Sequence, residues 1–272
     1  MFDLTNKVIV ITGGAGLLGR EHALAVAQQG ATPVLLDVND ARLGSAKAEI
    51  ESETGTRVDI YNVDISDETK LRLCCESIVN SRGRIDALIN NAANNPKMED
   101  GNNEKQFSRL ENFSIENWND DIRVGLTGAF LCARYFGTEI SRNPNGGTII
   151  NISSDLGLVG PDQRLYRKDG IDEDAQPVKP VTYSVIKAGL IGLTRYLATY
   201  WPQQNVRCNA LCPGGIFNGQ ADDFVEDLID RIPMHRMATI RDYRSAIVFM
   251  LADESAYMNG AVLAVDGGRT AW

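Results

Sequence analysis

Short apolar runs rich in β-branched residues recur along the chain at 7–11, 34–36, 58–63, 87–90, 148–152, 206–211 and 261–265. Between them lie longer stretches whose apolar residues fall at helical spacing, at 21–29, 40–53, 67–80, 115–140, 183–200 and 243–251. A run of four to six apolar residues bounded by turn residues reads as a buried strand, and a period near 3.6 as an amphipathic helix. Strands and helices that alternate in this way build a parallel sheet with helices on both faces. The pattern therefore predicts an α/β protein with about seven strands, forming one domain over 1–272. Three stretches break the rhythm. Residues 94–112 are polar and Asn-rich and predict a surface loop. Residues 160–180 are crowded with charge and read as an insertion. Residues 217–237 hold a short helix and His235 and read as a lid over a site.

The first strand ends in Thr12-Gly13-Gly14-Ala15-Gly16-Leu17-Leu18-Gly19, after which the chain turns helical. Glycines at 13, 16 and 19 let the backbone turn tightly and approach a pyrophosphate, which the amides at a helix N-terminus attract. Glycine spacing alone is also what a plain tight turn shows. The second strand, however, ends in Asp37, at the separation where a carboxylate binds the adenosine ribose of a dinucleotide. Together they predict a Rossmann-type, doubly wound sheet with a dinucleotide site. An acid at that place repels a 2′-phosphate, so NAD is expected over NADP, with Arg20 and Arg42 as nearby cations. Ligands bind beyond the carboxyl ends of such strands. Asp64 and Asn90-Asn91-Ala92-Ala93 stand at two of those ends, although Asp64 reads equally well as a helix cap.

In the stretch Tyr183-Ser184-Val185-Ile186-Lys187, helical spacing puts Tyr183 and Lys187 on one face, one turn apart. A neighbouring ammonium favours the phenolate and lowers a tyrosine's pKa from its reference value near 10. Such a phenol passes a proton to or from an alcohol. The same pair on any helix is as often a surface contact, and context decides between the two. Ser154 closes the strand at 148–152. It is either a turn residue or a hydroxyl that holds a substrate oxygen opposite Tyr183.

Composition narrows the classes. With 272 residues, 43% hydrophobic and 23% charged, the chain has the make-up of a globular protein that lacks any apolar run long enough to span a bilayer. Its N-terminus has no basic export region, so a cytoplasmic protein is expected. A net charge of −9 argues against nucleic acid and anionic membrane as partners. Five cysteines, an odd number without framework spacing, fit a reducing compartment and buried positions. The two histidines, His22 and His235, are far apart, and no metal is expected.

Taken together, the segment from Thr12 to Gly19, Asp37, Asp64, Asn90 to Ala93, Ser154, Tyr183 with Lys187, Asn209, Pro213-Gly214 and the ending Val265-Asp266-Gly267-Gly268 resemble the single-domain short-chain dehydrogenase/reductase family over essentially the whole chain. The resemblance implies hydride transfer between NAD(P) and a carbinol or carbonyl carbon. Tyr183 would be the acid/base, Lys187 would lower its pKa and hold the nicotinamide ribose, and Ser154 would hydrogen-bond the reacting oxygen. Gly13, Gly16, Leu18, Gly19, Asp37, Asp64, Ile65, Asn91, Ala92, Tyr183, Lys187, Pro213, Gly214 and Ile216 would bind the cofactor. Homodimers or homotetramers are implied, paired through the long helix and the active-site helix.

The sequence departs from that pattern in places. The even glycine spacing is that of the larger epimerase and dehydratase members. Gly125 stands where a catalytic asparagine is usual, so a proton relay anchored there has no side chain to use. Ala93 replaces a usual glycine, and Asn218 a usual threonine. The insertion carries Arg164, Arg167 and Lys168, which would grip a phosphate or carboxylate if it forms a lip over the substrate; a solvated loop explains it equally. The glycine variant, the insertion and the sequence from Tyr183 to Trp201 are also similar to oxidoreductases of flagellin modification and nonulosonic sugar synthesis, which favours a sugar or sugar phosphate. Two other functions stay open. The chain would be a non-catalytic dinucleotide-binding regulator if Gly125 abolishes turnover, or a redox-neutral epimerase or dehydratase.

Overall fold

The computed structural model describes residues 2–94 and 108–272. One parallel sheet carries seven strands in the order β3-β2-β1-β4-β5-β6-β7. They are β1 (Val8–Thr12), β2 (Thr32–Asp37), β3 (Asp59–Asn62), β4 (Ala87–Asn90), β5 (Gly147–Ile152), β6 (Val206–Pro213) and β7 (Val262–Val265). The helices are α1 (Leu17–Ala27), α2 (Asp40–Thr54), α3 (Glu68–Arg82), α4 (Ile115–Ile122), α5 (Gly128–Ile140), α6 (Val181–Tyr200), α7 (Asp222–Ile229) and α8 (Arg244–Leu251).

Alternation along β1 explains the two layers. Ile9 and Ile11 point into one core with Leu35 and the residues of α1, α2 and α8. Val8 and Val10 point into the other, with Val34, Leu36 and the residues of α3, α5 and α6. Both faces are buried, which is why the strands read as continuous apolar runs rather than alternating ones. β1 pairs with β2 on one side and β4 on the other. The strand order therefore reverses there, and a crevice opens beyond the ends of β1 and β4.

The helix expected at 115–140 is continuous but not uniform, because a π-helical turn at Arg123–Thr127 joins α4 to α5. Gly125 lies in that turn, where an added Cβ would stand 2.8 Å from Ile186 Cγ2 of α6. A side chain at this position would have to displace Ile186. Residues 95–107 of the polar loop lie outside the described residues. Its end is anchored on the insertion: the Ser108 hydroxyl accepts from the Val178 amide at 3.2 Å, and Arg109 donates to the Glu173 carbonyl at 3.0 Å.

The insertion and the lid candidate pack as one body. Leu165 is buried with Leu228, Ile232 and Met237, and the Tyr166 and Phe224 rings lie 5.8 Å apart. Arg231 donates to Asp162 at 2.7 Å across the same seam. Two of the cations expected to grip a substrate anion are otherwise engaged. Arg164 closes on Asp162 at 2.7 Å, and Arg167 pairs with Glu173.

Candidate active site

The glycine turn divides its work among three residues. Gly13 takes a φ of +60°, a left-handed conformation that suits glycine, and a Cβ there would meet Ala92 Cα at 2.9 Å. Gly16 caps α1 and has no side chain to satisfy the first-turn amides, which leaves them for an anion. Gly19 packs directly on the Gly13 carbonyl. Leu18 is half-buried against the core. Asp37, at the end of β2, accepts from the Ala15 amide at 3.2 Å and the Asn39 amide at 3.2 Å, so the loop and the carboxylate are one unit. Arg20 is drawn away to Glu49 and the Ala15 carbonyl.

Across the crevice, Asn91 donates to the Thr12 carbonyl at 3.0 Å and the Gly13 carbonyl at 3.2 Å. The Thr12 hydroxyl accepts from the Asn91 and Ala92 amides, both at 3.0 Å. These bonds lock the ends of β1 and β4 together. Asp64 accepts from the Ser66 amide at 2.9 Å and from Arg123 at 3.3 Å, while Ile65 is buried under Gly128. Pro213 closes β6, and the Gly214 amide donates to the Val265 carbonyl at 3.1 Å. Ile216 makes a bridge to Ala238, just past the lid.

Ser154, Tyr183 and Lys187 come together at the carboxyl end of β5. The Ser154 side chain stands beside the Tyr183 phenol, with its own hydroxyl donating to Asp155 at 2.7 Å. Burial holds the Tyr183 phenol above its usual range, against the lowering that Ser154 provides. This differs from the lowering expected of Lys187. The Lys187 nitrogen lies 5.7 Å from the ring centroid and donates to the Ile152 carbonyl at 2.9 Å. Burial, with Lys179 nearby, brings its own pKa down to about 8. In the protein alone, desolvation outweighs charge at this tyrosine.

Three neighbours went unnoticed in the sequence. Asp155 accepts from the Ser154 hydroxyl at 2.7 Å, and its other oxygen holds Arg269 at 2.6 Å. Asp155 is buried and Arg269 largely covered, and nothing in the spacing of 155 and 269 announces the pair. Lys179 sits with its nitrogen 4.0 Å from the Tyr183 ring centroid. It did have a signal in spacing alone, since lysines stand four residues to either side of Tyr183, although Lys179 precedes the helix. Among the described residues no group of metal-ligating side chains occurs, and no helix is long and apolar enough to cross a membrane.

Residues 7–166 match the family model described as short chain dehydrogenase, and residues 172–270 the one described as Enoyl-(Acyl carrier protein) reductase. The chain belongs to the short-chain dehydrogenase/reductase family. It is 31% identical over 270 residues to a 3-oxoacyl-(acyl-carrier-protein) reductase of Thermotoga maritima, with 97% of this chain and 98% of that one covered. It is 28% identical over 265 residues to the post-translational flagellin modification protein A of Campylobacter coli, covering 97% and 98%. A crystal structure of NAD+-bound xylitol dehydrogenase matches at TM-score 0.83 and 25% identity, covering 97% of this chain and 99% of that one. The chain is thus an oxidoreductase of this family, and its crevice fits the nicotinamide dinucleotide that the family uses.

Proposed function

We propose that this protein is an NAD-preferring dehydrogenase or reductase of a small polar secondary alcohol or ketone, a sugar or polyol derivative. The observation that carries the reading is the convergence of the Ser154 and Tyr183 side chains at the carboxyl end of β5, with Lys187 one helical turn behind. Gly13, Gly16, Leu18 and Gly19 would cradle the diphosphate, Asp37 the adenosine ribose, and Asp64 with Ile65 the adenine. Asn91 and Ala92 would line the middle of the cofactor, Lys187 and Tyr183 the nicotinamide ribose, and Pro213, Gly214 and Ile216 the nicotinamide ring. When bound, that ring supplies the two-electron hydride partner.

The residues of the chain handle the proton. Tyr183 takes it from the alcohol oxygen in oxidation and returns it to the ketone oxygen in reduction, while Ser154 turns its single hydroxyl proton from Asp155 to the same oxygen when substrate is bound. Asp37 supports NAD, because a carboxylate repels a 2′-phosphate and Arg20, paired with Glu49, is not directed to one. The resemblance to xylitol dehydrogenase and to the flagellin modification protein supports a polyhydroxy substrate. Exposed Phe130 on α5 and stacked, exposed Tyr196 and Tyr200 on α6 support a homo-oligomer built on those two helices. Five free, buried cysteines support a cytoplasmic setting.

The test is to follow absorbance at 340 nm while purified protein meets a panel of polyols and sugar derivatives with NAD+ or NADP+. Turnover that Tyr183→Phe abolishes is the expected result; no turnover by the unaltered protein with either nucleotide rejects the reading.

A further inference from the structure

Two cations line the cleft in front of Tyr183, and a third stands behind it. Lys179 and Lys187 lie 4.0 Å and 5.7 Å from its ring centroid, and Arg269 stands behind Ser154 through Asp155. Two carboxylates lie near them: Asp155 holds Arg269 at 2.6 Å, and Asp121, which lines the same cleft, accepts from the Thr182 hydroxyl at 2.6 Å. The Lys187 nitrogen has the Ile152 carbonyl. Lys179, by contrast, has no carboxylate within 4.0 Å among the described residues.

The local sequence explains how Lys179 gets there. Pro180 restricts the residue before it to extended backbone. The Lys179 amide is pinned to Gln163 Oε1 of the insertion at 2.8 Å, and α6 begins two residues on, so the side chain reaches across the first turn of the helix onto the tyrosine. No side chain caps that helix, and its N-terminal amides add positive potential. Drawing an ammonium out of water is unfavourable, and burial brings the pKa of Lys179 down to about 8 although the Asp155 charge acts to raise it. Two of the insertion's cations do not share the task, since Arg164 and Arg167 are paired with Asp162 and Glu173.

We propose that Lys179 is the anion-binding residue of the substrate site, holding a carboxylate or phosphate of the molecule whose reacting oxygen meets Tyr183. This rests on the oxidoreductase reading and narrows its substrates to anionic polyhydroxy compounds, sugar acids or sugar phosphates. The insertion then acts on substrate indirectly, by fixing the backbone of Lys179 through Gln163.

The test uses matched sets, each an aldonate, an alditol phosphate and the uncharged alditol of the same chain length, beginning with threonate, threitol phosphate and threitol. With cofactor-loaded protein, one anionic class is expected to exceed its alditol at least about tenfold in kcat/KM, and which class does so identifies the anion. Lys179→Gln is expected to raise KM for that class about tenfold or more, with a smaller change in kcat, so that the preference collapses toward one. Lys179→Arg is expected to restore most of it. A second measurement needs no turnover: the preferred anion raises the melting temperature of the cofactor-loaded protein, and does so far less in Lys179→Gln.

Alditols used as well as their anionic counterparts, with no collapse in the variant, overturn the anion site and leave the oxidoreductase standing. A loss confined to kcat with a displaced pH profile on alditols also overturns it, and makes Lys179 a residue that tunes Tyr183. Anion-dependent stabilisation that Lys179→Gln removes, without turnover of any member, keeps the site and rejects the redox reading. Neither stabilisation nor turnover rejects both.

Discussion

Arg269 and Asp155 form an ion pair at 2.6 Å with side chains only 11% and 4% exposed, and the free oxygen of Asp155 holds the Ser154 hydroxyl. Residues far apart in the chain thereby fix the group proposed to hold the reacting oxygen. Removing one member of a buried pair strands the other charge, which costs about 3–5 kcal/mol. Arg269→Met is expected to lose stability of that order in denaturant unfolding, and about tenfold in kcat as Ser154 loses its fixed orientation. Arg269→Met with Asp155→Asn is expected to regain most of the stability, because no buried charge is then left unpaired.

Burial raises the pKa of the Tyr183 phenol above its ordinary value. Because its pKa is raised, the base form grows only as pH climbs into the alkaline range. Alcohol oxidation is expected to rise with pH there, and ketone reduction to fall. Tyr183→Phe should remove both limbs and most turnover while NADH titration by fluorescence shows binding retained.

Asp37 joins the glycine turn through the Ala15 amide. Asp37→Ala is expected to weaken NAD by about tenfold and NADP by less, measured by titration of each nucleotide, since the lost carboxylate both binds ribose hydroxyls and repels a 2′-phosphate. Equal weakening of the two would mean that the residue only supports the loop.

His22 of α1 is fully buried, and neither ring nitrogen has a hydrogen-bond partner among the described residues. Burial lowers its pKa to about 3. The unfolded chain therefore takes up a proton below about pH 6.5 that the folded chain refuses, so this contribution to stability is complete above that pH and declines as pH falls toward 3. At pH 5 the loss is about 2 kcal/mol. His22→Leu is expected to flatten the fall in melting temperature between pH 7 and 5.

Gly125→Asn, which supplies the side chain that the family resemblance leads one to look for, is expected to destabilise by about 1–3 kcal/mol as it meets Ile186. Combining it with Ile186→Ala is expected to recover much of that loss in thermal unfolding.

The seven strands and most helix bounds were legible because burial on both faces writes itself as apolar runs, and turn residues punctuate them. The joint between α4 and α5 was not, since a π-helical turn keeps nearly the same apolar spacing as the helix it interrupts. At the site, Ser154, Tyr183 and Lys187 could be singled out from strand ends and helical spacing. Asp155 with Arg269 could not, because their contact depends on how the segment after β7 folds back over β5. The role first looked for in Arg164 and Arg167 shifted for an electrostatic reason: each has an acid within a few residues, and short-range pairing wins over a distant ligand.

Because Leu165 is seated among Leu228, Ile232 and Met237, neither surface segment is an independent module. Transplanting residues 160–180 into a relative, to transfer its choice of substrate, would carry a wedge without its socket. A chimera that moves 160–180 and 217–237 together should remain folded where the single graft exposes an apolar seam.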